Sequence, residues 1–130
     1  MVGRRNTGFS EEVKAVILAR SYSSCEVMVD RVCVFTASTI HHRRPRGMGG
    51  SKKVDTNDAD NGLAVCRVCH AIVESRREWA LENGFVVRQG DIPGKVPLWW
   101  RCVSHYVDGR RVKRLVLLDK SGKMKEVDGG

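Results

Sequence analysis

His41-His42-Arg43-Arg44-Pro45-Arg46-Gly47-Met48-Gly49-Gly50-Ser51, then Asn61-Gly62-Leu63, then Cys66-Arg67-Val68-Cys69-His70: these three runs carry most of what the chain says about itself. Imidazoles hold divalent metal ions or take up protons near neutral pH, and paired thiolates close tetrahedral zinc sites. Both kinds of group stand here within thirty residues, among arginines. A lone histidine is usually a structural or surface residue. Three histidines with an asparagine and a carboxylate in reach are harder to explain that way.

Outward from these runs, the chain reads as α+β. Ser10 caps a helix whose first turn carries Glu11 and Glu12. Val13, Val16, Ile17 and Arg20 follow at i, i+3, i+4 and i+7, giving that helix one inward stripe, and it ends near Ser21 to Ser24. From Cys25 to His42 the Val, Thr, Cys and Phe content suits short strands or a hairpin. Arg43 to Asp60 is rich in glycine and cations and reads as an exposed loop. A second helix is expected from Cys69 to Asn83, with Ile72, Trp79 and Ala80 buried and Gly84 stopping it. Short strands follow at Phe85 to Arg88, Leu98 to Tyr106 and Arg114 to Leu118, with turns at Asp108-Gly109 and Ser121-Gly122. This gives a basic arm over 1–9, a main domain over 10–84 and a β-rich extension over 85–130, either a sheet packed on the domain or an extended arm.

The chain has 130 residues, 42% of them hydrophobic, which is enough for one modest core. Lys and Arg outnumber Asp and Glu by 23 to 15, for a formal charge of +8. Such an excess favours a polyanionic partner through counterion release, the alternative being a merely basic surface. Five cysteines, an odd number, and a polar start without an apolar segment disfavour a secreted disulfide framework. Metal-bound thiols in a reducing cytoplasm fit better, and no apolar run is long enough to span a membrane.

Cys66 and Cys69 have the spacing of a zinc knuckle, which is half a site. Cys25 and Cys33 are the candidates for the other half. Met28 stands where a second thiol of a tight pair would fall, and a thioether is a poor zinc ligand. The alternative is that Cys33 is a buried strand residue and no metal is firmly held. Cys102 reads as a small core residue. On the helix, His70 and Glu74 are spaced i, i+4 and face one ion. His41 and His42 would point to opposite sides of a straight strand, so they serve one site only if the strand bends or their roles differ.

Taken together, the run His-His-Arg-Arg-Pro-Arg-Gly-Met-Gly-Gly-Ser, the Asn-Gly-Leu step and the Cys-Arg-Val-Cys-His segment resemble the HNH endonucleases of the ββα-metal class, of the type encoded by tailed phages. The resemblance covers Cys25 to Gly84, and it implies a small ββα-metal core stapled by the four cysteines. It implies that His42 is the general base and His41 the metal ligand before it, that Asn61 orients the base (Asn57 being the rival), and that His70 and Glu74 are further ligands. It departs from the family at Met28, where many members have cysteine. A catalytic divalent ion (Mg, Mn, Ni or Zn), a structural Zn and a DNA substrate follow. So does a phage enzyme working with the large terminase during genome packaging, or else a free-standing nicking or homing-type enzyme.

The chemistry expected is phosphodiester hydrolysis at one ion, with His42 taking a proton from water. Arg43, Arg44 and Arg46 would bind phosphates near the cut, and Lys52 and Lys53 would add unspecific attraction. Each arginine read singly is equally a solvated loop residue. The Arg110 to Arg114 run is a second phosphate contact or a charged hairpin edge. The competing reading is a non-catalytic zinc module that binds nucleic acid through its basic loop and leaves the histidines without work.

Overall fold

The structure, a computed structural model, describes residues 8–45, 54–101, 106–107, 110–111 and 113–128. It is α+β, with α1 at Glu11–Ser21, β1 at Thr39–His42, β2 at Gly62–Val65, α2 at Arg67–Ser75 and α3 at Arg77–Glu82. Then come β3 at Leu98–Trp100, β4 at Tyr106–Val107, β5 at Arg110–Arg111, β6 at Arg114–Leu118 and β7 at Met124–Glu126. None of the described helices is long and apolar enough to cross a membrane.

α1 begins and ends where its sequence says. The Ser10 side chain accepts from the Val13 N–H, and Tyr22 closes the helix in the left-handed region. Its inward stripe delivers Arg20 to a buried carboxylate, with Nε and Nη2 each donating to Glu26 at 2.7 Å. Glu26 is satisfied further by the Trp100 indole N–H and the Ala64 N–H, while Arg20 also donates to the carbonyls of Ala59 and Gly62. A buried ion pair is tolerated only when its remaining donors and acceptors find partners, as these do. The network joins α1, β2 and β3 around one point.

β1 and β2 run antiparallel, pairing His42 with Gly62, His41 with Leu63, Ile40 with Ala64 and Thr39 with Val65. A Cβ at Gly62 would fall 2.6 Å from Ile17 Cδ1 and 3.0 Å from Phe9, so only glycine lets α1 lie this close to the pair. β2 passes directly into α2 through Cys66. The main core cluster runs from Cys25, Met28 and Leu63 through Cys69 and Val73 to Leu98, Trp100, Val116 and Leu118. It therefore takes in both the main domain and the sheet β3-β6-β7, which is packed on the domain and is no free arm.

Several local expectations are corrected. The second helix is two: Arg76, at φ −116° and ψ 69°, breaks it, so that Val73 and Ala80 reach the core from different axes. Phe85 to Arg88 is no strand. Phe85, Val86 and Val87 are buried there and Arg88 is exposed, and the segment is tied to the end of β1 by Val87 N–H donating to Arg43 O at 2.7 Å. Of the stretch from Cys25 to His42, only Thr39–His42 is a strand; the residues before it form an irregular loop, with Met28, Arg31 and Phe35 at positive φ. β7 was not anticipated; Asp119 accepts from the Ser121 and Lys123 N–H groups to turn β6 into it. Asp108-Gly109, between the paired β4 and β5, and Cys102 lie outside the described residues.

Candidate functional site

Two groups of ligating side chains come together, one of four cysteines and one of two histidines with a carboxylate. In each, one ligand atom per residue lies within 4.8 Å of the others.

The thiols of Cys25, Cys33, Cys66 and Cys69 come from the irregular loop and from the start of α2. Cys33 Sγ and Cys66 Sγ are 3.8 Å apart, and the edge of a tetrahedron of thiolates bound at about 2.3 Å is also about 3.8 Å. Each sulfur receives one backbone N–H: Cys25 from Met28, Cys69 from Val29, Cys33 from Phe35 and Cys66 from Cys69. Four donors aimed at four sulfurs suit thiolates, which accept such bonds well, far better than thiols. Met28 thus keeps the backbone role of a knuckle's second position while its side chain goes to the core, and the left-handed turns at Met28 and Arg31 carry the chain on to Cys33. The bond from Cys69 holds the Cys25 thiol down to about 5, whereas burial pushes Cys33 up to about 12. Hydrogen bonding to Cys25 and burial raise Cys69 as well. With no cation Cys25 is thus favoured as thiolate while Cys33 and Cys69 hold their protons; a bound cation removes that restriction.

The second group also draws on α2, where His70 directly follows Cys69 and Glu74 stands one turn further on. His41 is buried, and its Nε2 lies 2.9 Å from the Phe85 carbonyl. That carbonyl accepts a hydrogen bond from Nε2–H, which leaves Nδ1 as the ring nitrogen with a lone pair for an ion. Burial pulls the His41 imidazolium down to about 4, so the ring is neutral at pH 7. His70 stands edge-on to it, with ring centroids 5.3 Å apart, and His70 Nε2 is 3.3 Å from Glu74 Oε2. Two imidazoles and a carboxylate leave open positions on an ion, the composition of a catalytic site rather than a closed structural one.

His42 comes off the same strand end in a different role. Its ring stacks on Phe9 at 4.2 Å and 18°, and its Nε2 donates to Asn57 Oδ1 at 2.8 Å. The stack fixes the ring plane, and the amide oxygen marks Nε2 as the protonated nitrogen. His41 and His42 nevertheless line one hollow of ≈ 480 Å³ together with Pro45, His70, Glu74 and Arg77. Adjacent on one strand, the two histidines differ in partner: His41 meets a backbone carbonyl and His42 a side-chain amide.

The amide beside His42 is therefore that of Asn57, and Asn61 is corrected. Asn61 is wholly buried: its Oδ1 accepts from Arg44 N–H, and its Nδ2 donates to the carbonyls of Thr56 and Arg44. It pins the loop on which Asn57 stands, acting on the site at one remove.

The arginines are corrected more sharply. Arg43 is fully buried, donating from Nε to Gly84 O, from Nη1 to Asp60 O and Pro93 O, and from Nη2 to Val96 O. Burial lowers its guanidinium to about 9, still charged at neutral pH. Arg44 is almost as deep, paired with Asp55 and donating to the Asp91 carbonyl. Neither can meet a phosphate; both fasten a loop whose Thr56, Ala59 and Asp60 are also buried. Arg46, Lys52 and Lys53 lie outside the described residues. In the Arg110 to Arg114 run, Arg114 pairs with Glu126, and the neighbouring Lys113 lies 5.0 Å over the Trp99 ring.

Arg77, which sequence reasoning passed over, is the cation that lines the hollow. It is exposed at the first position of α3, directly after the break at Arg76. No family model, curated protein or solved structure matches this chain.

Proposed function

We propose that the protein is a metal-dependent endonuclease of the HNH type that hydrolyses DNA phosphodiester bonds. The observation that carries this reading is the meeting of His41, His70 and Glu74 within 4.8 Å, in the same hollow as His42. The order of β1, β2 and α2, two antiparallel strands and then a helix, supports it, since the resemblance implies that arrangement. So does the four-cysteine group, whose spacing and N–H donors suit zinc.

His41, His70 and Glu74 would hold a divalent ion, which when bound neutralises phosphate charge and lowers the cost of the departing 3′ oxygen. His42 takes the proton of the attacking water, while Asn57 and Phe9 hold the orientation of its ring. The water oxygen forms a bond to phosphorus and the bond to the 3′ oxygen breaks, leaving a 5′-phosphate. Arg77, with its forked donors, holds a non-bridging phosphate oxygen, the task that the sequence reading assigns to Arg43, Arg44 and Arg46. The cysteine group staples the irregular loop to α2 and takes no part in the reaction. A packaging-motor partner belongs to the same reading and is tested by cleavage with and without a terminase.

The test is plasmid cleavage with Mg²⁺, Mn²⁺ or Ni²⁺ by the wild type and by His42→Ala. Metal-dependent cutting that falls at least about a hundredfold in the variant, with DNA binding kept, supports the proposal. Equal cutting by both proteins removes His42 as base. DNA binding without cutting by either leaves the zinc-stapled binding module as the function.

A further inference from the structure

We propose that a second hollow, on the Phe9 side of His42, holds the nucleoside adjoining the phosphate that is cut; this rests on the nuclease reading. The hollow has a volume of ≈ 360 Å³, and Phe9, Lys14, Leu18, Ser38, Thr39 and Ile40 form most of its wall. Ile40 and His42 line both this hollow and the ion-binding one. A strand placed with one phosphate beside His42 therefore has its next residue at the mouth of the second hollow.

The lining matches the parts of a nucleoside phosphate. Leu18 and Ile40, both half-buried, offer an apolar surface to a base. Ser38 and Thr39 present exposed hydroxyl side chains to polar edges. Lys14 is the cation of this wall, and no carboxylate lines the hollow among the described residues. Its partner Glu11, at 3.2 Å, is an exposed i, i+3 neighbour, and such a pair yields readily to a phosphate. The volume lies near the lower bound for small-ligand pockets, about 300–1,000 Å³, which suits one unstacked residue and excludes a paired, stacked duplex. A base must leave its stack to enter, so single-stranded or frayed DNA is the preferred substrate.

A single-stranded oligonucleotide with a mapped cut position, bearing an abasic spacer on either side of that position, tests this. The expected result is a loss in kcat/KM of about tenfold or more for the spacer on one side and little change for the other. Ser38→Trp, a plug at an exposed position, should abolish this preference and slow cutting while zinc content and thermal unfolding stay as in the wild type. Spacers that are neutral on both sides, or a plugged variant that cuts like the wild type, overturn the proposal. If the wild type cuts nothing, the nuclease reading fails first, and the hollow is judged by titrating deoxynucleoside 5′-monophosphates. Saturable amide shifts at Lys14, Ser38 and Thr39, weakened in Lys14→Ala, support the subsite; unmoved amides overturn it.

Discussion

The Nε2 of His42 donates to the Oδ1 of Asn57 across fifteen residues, at 2.8 Å, and this bond marks Nε2 as the protonated ring nitrogen. Asn61 holds the loop that places Asn57, through three bonds of its own.

These two asparagines therefore separate by experiment. Asn57→Ala is expected to lower kcat about tenfold or more, with unfolding temperature and metal content unchanged. Asn61→Ala leaves buried backbone groups without partners and is expected to cost about 2–3 kcal/mol of stability. Urea unfolding of both variants beside their cleavage rates checks the division. Equal destabilisation by both would refute it.

Arg43→Met is expected to unfold the site without touching DNA affinity directly. It strips donors from four carbonyls, and each buried acceptor left without a partner costs about 1–3 kcal/mol. Arg77→Ala is expected to do the reverse, leaving stability within about 0.5 kcal/mol and reducing the salt dependence of DNA binding by about one contact. Denaturation and anisotropy titrations at several salt concentrations read both.

How far these features were legible in the sequence depends on distance along the chain. The cap at Ser10, the Cys66–Cys69 knuckle and the His70–Glu74 spacing are local patterns, and the structure places them as read. Arg43 and Arg44 look solvated because their local run is polar. What buries them are carbonyls from residues 60, 84, 91, 93 and 96, and no window around Arg43 contains those. Asn57 and Asn61 stand four apart in one loop, and only the fold of that loop assigns one to the imidazole and the other to the backbone. The break at Arg76 has no glycine or proline to announce it, so Arg77 stayed hidden.

Cys66→Ser is expected to release one zinc per chain and to loosen the fold, because the same residue caps α2 and supplies one of four sulfurs. Elemental analysis of the wild type and of the variant, with near-ultraviolet dichroism for packing, reads both effects. A variant as well folded as the wild type after losing its metal would show that the cluster is no staple.

His41 carries a pH dependence whose sign is fixed by its burial. Its pKa, at about 4 in the folded chain, lies below the ordinary value near 6.5. The unfolded chain takes up this proton first as pH falls, so stability from this group is complete above about 6.5 and is lost progressively toward 4. Imidazole resonances of His41 followed by NMR should stay at the neutral position down to about pH 5, while a denatured sample titrates near 6.5. Coincident titration in both states would mean that the ring is not desolvated.

The central claim is that His41, His70 and Glu74 share one cation beside His42. Anomalous diffraction from crystals soaked in Mn²⁺ tests it most directly. The account requires one peak at bonding distance, about 2.0–2.3 Å, from a nitrogen of each of the two histidines and an oxygen of Glu74, lost in a His70→Ala crystal. A peak elsewhere, or none in that hollow at saturating Mn²⁺, would contradict it.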